Sequence, residues 1–421
     1  MSNLALDGIF PRYEQFDPLV PVWCITPRIG RVIHRFFNTS PISPSGRYAA
    51  LTRLPFEDAY PAPGDVAEIV VVDLREGTHR VVAETRGWDT QLGAQTQWGT
   101  SDDELYFNDL DPADWVPYGV RMNPHTGEAR RLEGTIYMVS PDGTAAVSAC
   151  LRRIGATQAG YGVLVPASHI PVNRGAPADD GVYVTDLASG KTSLLISYRD
   201  IVEQARPPID VGKYGAGDFY GFHVKWSPDG ERIMLVLRYK MATGGYAPQL
   251  ITMKRDGTDV RVAVPLAEWA DKGGHHPIWC PDGQHIMMNL KTDRRTLRLI
   301  KVRYDGSGYG TLSDRIVGSG HPSMRPDGRF IVTDAYLDED AAYGDGTVPI
   351  RFIDPQQHRE AVIIRIATQP PTADHRLRID PHPVWDKDGR RLVFNGFVDG
   401  TRRVFLAEMP QYPEQGWWGP Q

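Results

Sequence analysis

The chain has 421 residues, of which 41% are hydrophobic and 10% aromatic, and its formal net charge is −6. This hydrophobic content is ample for a buried core and excludes a disordered chain. The charged residues are of mixed sign and show no excess of basic residues, so we expect neither nucleic acid nor an anionic membrane as a partner.

One eight-residue pattern recurs along the chain. It is clearest at residues 276–283, which read His-Pro-Ile-Trp-Cys-Pro-Asp-Gly, and further clear copies begin at His223, His321 and His382. Weaker copies begin at Thr39, Gln95 and Ile136. Similar units across nearly the whole chain indicate a repeat architecture, which outweighs the several domains that length alone suggests.

Each unit is predicted to contain short strands joined by tight turns. In the first unit, the turn at 44–46 leads into a strand at 47–52, and further strands follow at 67–74 and 79–83. Runs of β-branched residues bounded by Asp-Gly turns are typical of antiparallel hairpins. The same order returns in later units, at 230–237 with 249–253 and at 391–395 with 403–407.

The spacings predict an all-β fold, a seven-bladed β-propeller with four-stranded antiparallel blades. We expect a single domain over residues 1–421, whose blades begin near residues 39, 95, 136, 223, 276, 321 and 382. An N-terminal strand at 21–26 is expected to close the ring as part of the last blade. Helix is expected only as a turn or two at 197–205 and 266–272. A Gly- and Pro-rich insertion loop at 152–180 is expected to cover one mouth of the propeller.

The cysteines and the N-terminus bear on the compartment. Cys24, Cys150 and Cys280 lie far apart and form neither a CxxC metal pair nor a disulfide framework, so we expect reduced, mostly buried thiols. The first ten residues lack a basic and apolar leader, and no apolar run approaches the roughly 20 residues of a membrane span. We therefore expect a cytoplasmic protein, or a periplasmic or secreted one whose leader has been removed.

The first position of the repeat carries the chemistry, because it is His in the four clear copies and Gln95 in a weak one. Composition alone predicts about 0.2 histidines at these positions. Such positions face each other around a propeller axis, and converging imidazoles suit Mn, Fe, Co, Ni or Zn. Two alternatives stay open: the histidines are only hydrogen-bonded to neighbouring strands, or they bind a channel water. Asp380 is a further candidate oxygen ligand.

These residues resemble the motifs of the oligogalacturonate lyases, seven-bladed propeller enzymes that bind a Mn-type cation and cleave uronic-acid disaccharides by β-elimination. The matching stretches are 34–37, 221–223, 275–279, 320–328 and 377–383. The resemblance implies His276, His321 and His382, with Asp380, as metal ligands. It implies His223 as the catalytic base, and His34 and Arg35 as residues that bind carboxylate or share proton transfer.

The chain also departs from that family. Asp380 stands where the family has a histidine ligand, Leu377 where it has a glutamine, and Gly181 where it has an arginine. Arg152, Arg153 or Arg174 could replace the arginine. Gln95, Tyr161 and Arg174 are predicted substrate contacts. Gln95 could instead be a neutral oxygen ligand, and Tyr161 is an acid, a sugar-stacking ring or a packed loop aromatic.

The resemblance implies a carbon–oxygen lyase that acts on a uronic-acid-containing glycan and leaves a 4,5-unsaturated uronate. Its cofactor would be a divalent metal, Mn first, with Zn, Fe, Ni or Ca as alternatives. Ulvan lyases and rhamnosyl-glucuronate-cleaving enzymes are related candidates. The expected partner is a uronate-containing oligosaccharide, bound by a monomer or small homo-oligomer.

Two other function classes stay open. A non-catalytic TolB-like propeller that binds a protein or glycan would carry the same repeats but would need no histidines, so metal content discriminates. A propeller glycoside hydrolase acting on rhamnosyl-glucuronate-type linkages would need paired carboxylates, and nothing in the sequence converges the available acidic residues.

Overall fold

A computed structural model describes residues 6–418 of the chain. Within those residues it contains seven four-stranded sheets, the blades of the predicted seven-bladed β-propeller. Residues 1–5 and 419–421, on which the leader prediction and the ends of the predicted domain fall, lie outside the described residues. No helix of residues 6–418 is long and apolar enough to cross a bilayer.

The chain divides into two compact units, and the first comprises residues up to 107, residues 121–129 and residues from 313 onward. One blade consists of β2 (Val32–Ile33), β3 (Tyr48–Arg53), β4 (Ala67–Asp73) and β5 (Thr78–Thr85). Another consists of β22 (Ser323–Met324), β23 (Ile331–Thr333), β24 (Thr347–Asp354) and β25 (Arg359–Ala367). The last consists of β26 (Val384–Trp385), β27 (Arg391–Val398), β28 (Thr401–Glu408) and β1 (Val22–Cys24). Trp23 lies opposite Leu406, which confirms the predicted N-terminal closing strand.

The second unit comprises residues 108–120 and 130–312. Its first blade consists of β10 (Met138–Val139), β11 (Ala145–Ser148), β12 (Gly181–Asp186) and β13 (Thr192–Ser197). The next consists of β14 (Gly217–Trp226), β15 (Arg232–Met241), β16 (Tyr246–Lys254) and β17 (Arg261–Val264). The third consists of β18 (Gly274–Trp279), β19 (His285–Lys291), β20 (Leu297–Arg303) and β21 (Gly310–Thr311).

The remaining sheet consists of β6 (Gln97–Trp98), β7 (Leu105–Asp111), β8 (Val116–Met122) and β9 (Ala129–Arg131). The α-helices are short and lie where they were predicted, at α1 (Tyr198–Gln204) and α2 (Leu266–Trp269). Short 3₁₀ helices span Ile154–Ala156, Ala167–His169, Gly212–Tyr214, His375–Leu377 and Gln415–Trp417. The insertion loop lies between β11 and β12 and contains the first two of these 3₁₀ helices.

The Pro-Asp-Gly turns lead into strands that form the core. Gly230 and Gly283 adopt φ of 73° and 66°, a left-handed conformation that glycine adopts without steric cost. After the turn at Gly230, Ile233 and Leu235 of β15 are fully buried in the core of the second unit. A left-handed turn glycine followed by a strand with buried apolar residues is therefore the local pattern from which the blade is built.

Candidate metal centre

Four first positions of the repeat lie in a β-bulge or have a positive φ. One extra residue bulges from β14 between Gly221 and Val224, and one from β18 between His275 and Ile278. His223 and His276 occupy these bulges. Gln95, His276 and His382 have positive φ, at 58°, 59° and 50°. Such conformations cost a non-glycine residue about 1–3 kcal/mol and persist mainly at functional positions.

His321, Asp380 and His382 form a candidate metal centre in the first unit. Each offers one ligand atom, and these atoms lie within 4.8 Å of one another. All three side chains are buried. The two imidazole rings lie 4.2 Å apart and nearly perpendicular, and His382 Nε2 lies 3.7 Å from Asp380 Oδ2. The sequence thus predicted three residues that the fold brings together.

Asp334 orients both histidines of this centre. It follows β23 directly and is fully buried. Its two carboxylate oxygens each lie 3.0 Å from His321 Nδ1, and it accepts hydrogen bonds from the backbone N–H groups of His321 (2.5 Å) and His382 (3.0 Å). Because Nδ1 donates to Asp334, the lone pair of His321 lies on Nε2, as metal binding requires.

Gly320 makes room for this carboxylate. Its φ is 43°, and a Cβ placed on it would lie 2.1 Å from Asp334 Oδ1 and 2.4 Å from the Asp334 carbonyl oxygen. No side chain fits there without moving Asp334. Sequence reasoning missed Asp334, and its only signal was an acidic residue at the end of an apolar strand.

Phenylalanines cover the imidazoles, and His34 lies beside them. The Phe36 ring lies 4.7 Å from the His382 ring, and the Phe37 ring lies 5.4 Å from the His321 ring. His34 is fully buried, its backbone N–H donates to Asn395 Oδ1, and its ring lies 6.3 Å from that of His382. Burial lowers the pKa of His34 to about 4, so its imidazole is neutral at neutral pH.

Arg35 and Gln95, both predicted site residues, form a buried hydrogen-bonded pair in the first unit. Arg35 Nη2 donates to Gln95 Oε1 at 3.3 Å, and Nη1 donates to Thr39 Oγ1. Thr39 and Gln95 are first positions of their repeats. The repeat therefore positions a guanidinium as well as imidazoles.

Two further residues touch the centre and were not predicted. Arg378 Nε donates to Asp380 Oδ2 at 2.8 Å, so this carboxylate is already neutralised in part. The Tyr336 hydroxyl lies 3.4 Å from His321 Nε2. Spacing alone did not distinguish either residue from an ordinary surface arginine or core tyrosine.

His223 lies in the second unit and is buried. Its Nδ1 is hydrogen-bonded to the Tyr137 hydroxyl, and the centre of its ring lies 3.7 Å from that of the Phe222 ring, with the two rings tilted by 41°. When Nδ1 donates to Tyr137, the lone pair is on Nε2, which is the tautomer that a base needs. Tyr161 is also buried and meets Phe222 edge to face at 5.2 Å, so it packs as a loop aromatic in this structure.

The other predicted site residues of the second unit have different surroundings. His276 Nδ1 lies 2.7 Å from His275 Nδ1, so one ring donates to the other. Its role as a ligand stays a prediction. Arg174 is exposed and lies 3.8 Å from Asp218, while Arg153 lies 3.3 Å from the buried Asp180. Arg152 donates to a backbone carbonyl of the insertion loop.

Comparison with known proteins supports the fold. No protein-family model matches the chain, and no curated protein matches it by sequence. An oligogalacturonate lyase solved in complex with manganese is similar in structure, with a TM-score of 0.66 and 14% identity over 96% of both chains. An oligogalacturonate lyase from Vibrio parahaemolyticus has a TM-score of 0.64 and 14% identity over 96% of this chain and 97% of its own. The chain therefore shares the seven-bladed propeller fold of these two proteins.

Proposed function

We propose that this protein is a metal-dependent lyase that cleaves a uronic-acid-containing glycan by β-elimination. The observation that carries the proposal is the buried group of His321, Asp380 and His382, oriented by Asp334. The similar fold of an oligogalacturonate lyase that binds manganese supports it. Two imidazoles and one carboxylate suit a first-row divalent cation. We place Mn first because the similar lyase binds manganese, with Zn, Fe or Ni as alternatives.

The residues of the centre fit a divalent cation. Asp334 leaves the lone pair of His321 on Nε2, and Asp380 supplies a negative oxygen beside His382. Phe36 packs on the His382 ring and keeps bulk water from that face. A cation bound here would draw charge from a uronate C6 carboxylate and so make the C5 proton more acidic.

The elimination removes one proton from C5 and delivers one proton to the leaving O4. The C5–H electron pair becomes the C4–C5 double bond, the C4–O4 bond breaks, and O4 leaves with a proton. We assign His223 as the base that takes the C5 proton on Nε2, with Tyr137 accepting from Nδ1 and stabilising the imidazolium. Proton delivery to O4 is assigned to solvent, because the buried His34 imidazole is neutral at neutral pH and has no imidazolium proton to give.

Arg35 is assigned to a second carboxylate of the glycan. Its planar guanidinium is held by Thr39 and Gln95, which are neutral, so the positive charge is not cancelled by those two contacts. Guanidinium groups bind carboxylates through paired hydrogen bonds, which a lysine cannot do. The Arg35→Lys variant should therefore raise KM more than it lowers kcat.

The test combines metal content with product formation. Purified protein is subjected to elemental analysis and then assayed on polygalacturonate and on glucuronate-rich glycans by the ultraviolet absorbance of the unsaturated product. We expect a bound first-row metal, and loss of both metal and activity in His321→Ala and His382→Ala. The exposed His79, on β5 of the same unit, provides the control variant His79→Ala. Metal-free protein that yields no unsaturated product from any uronate glycan contradicts the proposal.

A further inference from the structure

Arg238 is a buried cation without a carboxylate partner. It lies on β15 of the second unit and is 6% exposed. Four other buried arginines of the described chain form ion pairs, namely Arg232, Arg325, Arg351 and Arg402. Among residues 6–418, no carboxylate lies within ion-pair distance of Arg238. A buried charge is stable only when its surroundings offset the loss of water, so this guanidinium requires an explanation.

Its present contacts are all neutral. Nη1 donates to the Thr157 carbonyl oxygen and to Gln158 Oε1, each at 2.9 Å, and both acceptors belong to the insertion loop. The guanidinium lies 3.8 Å from the centre of the Phe222 ring and 4.2 Å from that of Tyr246. Its Nε is buried and makes no hydrogen bond with the described residues. Burial lowers the pKa of Arg238 to about 10, which still leaves it charged.

The position of Arg238 points to a ligand at the surface beside His223. Tyr220 pairs with Arg238 one residue pair before the pair that adjoins the β14 bulge, and Phe222 contacts both the guanidinium and the His223 ring. Tyr246 is 38% exposed and its hydroxyl reaches Gln158 Oε1 at 3.4 Å, so both residues form an accessible rim. Because Gln158 belongs to the insertion loop rather than to a strand, replacing its amide oxygen at Nη1 by a carboxylate would break no strand pairing.

We propose that Arg238 binds a carboxylate of an acidic ligand, at a subsite whose rim is Gln158 and Tyr246. The two aromatic rings fix the plane of the guanidinium, and the neutral loop contacts hold it until a negative group arrives. The choice of a uronate as this ligand rests on the proposed lyase function. The assignment of a carboxylate rests instead on the burial and the neutral contacts of Arg238.

Binding, rather than turnover, tests this subsite. Digalacturonate and a glucuronate disaccharide are titrated into the full-length protein by calorimetry, with their methyl esters as neutral counterparts. We expect Arg238→Gln to weaken binding of an acidic disaccharide about 30-fold or more and to leave binding of the esters unchanged. Arg232→Gln is the matched control, because Arg232 lies on the same strand, is equally buried and pairs with Asp259. It should lower the melting temperature without changing the affinity.

Gln158→Glu provides a second test that does not remove the arginine. A carboxylate at this position meets Arg238 Nη1, so we expect a higher melting temperature together with weaker binding of the acidic disaccharide. Gln158→Ala should not raise the melting temperature, and Gln158→Glu combined with Arg238→Gln should lose the gain. Unchanged affinity in both Arg238→Gln and Gln158→Glu, or wild-type protein that binds the esters as well as the acids, overturns the proposal. If Arg238→Gln loses binding of the acidic disaccharide while the wild-type protein forms no unsaturated product, the subsite is supported and only the lyase reaction is contradicted.

Discussion

The Asp334→Asn variant tests how the candidate centre is held. Asp334 accepts from His321 Nδ1 and from the backbone N–H groups of His321 and His382, all within 3.0 Å. Asparagine keeps one oxygen, but its amide NH₂ faces an N–H group instead of accepting from it. Hydrogen bonds to charged groups contribute about 1.5–3 kcal/mol each, and an unsatisfied buried donor costs a similar amount. We therefore expect a loss of about 2–4 kcal/mol in the free energy of unfolding.

Metal affinity should fall as well, because the His321 ring loses the partner that sets its tautomer. Removing such an orienting carboxylate typically weakens metal binding about 10- to 100-fold. Chemical denaturation of the metal-free protein gives the first quantity, and Mn²⁺ titration against a competing chelator gives the second. Asp327→Asn is the matched control, since Asp327 lies in the exposed turn of the same blade. An Asp334→Asn protein with wild-type stability and wild-type Mn²⁺ affinity refutes the assigned role.

Four further outcomes are expected. Gly320→Ala should destabilise the protein and weaken Mn²⁺ binding, whereas Gly328→Ala in the same blade should only destabilise it, because nothing lies near its Cβ position. Tyr137→Phe should lower kcat of the proposed lyase and shift its pH profile, since His223 loses its Nδ1 partner; an unchanged profile would separate Tyr137 from catalysis. Acid should destabilise the metal-free protein, because the pKa of His34 is about 4 in the folded chain and near 6.5 in the unfolded chain. The contribution of His34 to the free energy of unfolding is fully present above pH 6.5 and falls by about 3 kcal/mol towards pH 4. His34→Gln should flatten that pH dependence of the unfolding free energy. Burial raises the pKa of Cys280 to about 12 and also raises that of Cys24, so a thiol reagent should label Cys150 alone before denaturation and all three cysteines after it.

Much of the fold was predictable because the turns and strands of the repeat are specified by residues that are close in sequence. The turn glycines and the alternating strand residues need only their own neighbours to adopt their conformation, so seven blades and the closing strand at Val22–Cys24 could be placed from sequence. The convergence of His321 and His382 was also predictable, since both occupy the same position of neighbouring repeats.

The orienting residues were not predictable for the opposite reason. Asp334 and Tyr137 act through contacts with residues distant in sequence. Asp334 lies outside the eight-residue pattern, and Tyr137 is the second residue of the weak copy at Ile136, where no other copy has tyrosine. The left-handed backbone of His276 accompanies a bulge in β18, and that of His382 lies just before β26. The His-Pro dipeptide specifies neither conformation by itself. Arg232 pairs with Asp259, whereas Arg238 on the same strand contacts neutral groups, and that difference exists only in the folded chain.

The central claim is that His321, Asp380 and His382 hold one divalent cation. Electron paramagnetic resonance of a Mn²⁺ titration measures this directly, because free Mn²⁺ gives a sharp six-line signal that weakens on binding. We expect one bound Mn²⁺ for each wild-type chain. The folded His321→Ala/His382→Ala protein should bind none, while His79→Ala should bind as the wild type does. Equal Mn²⁺ binding by the wild-type and doubly substituted proteins would contradict the claim.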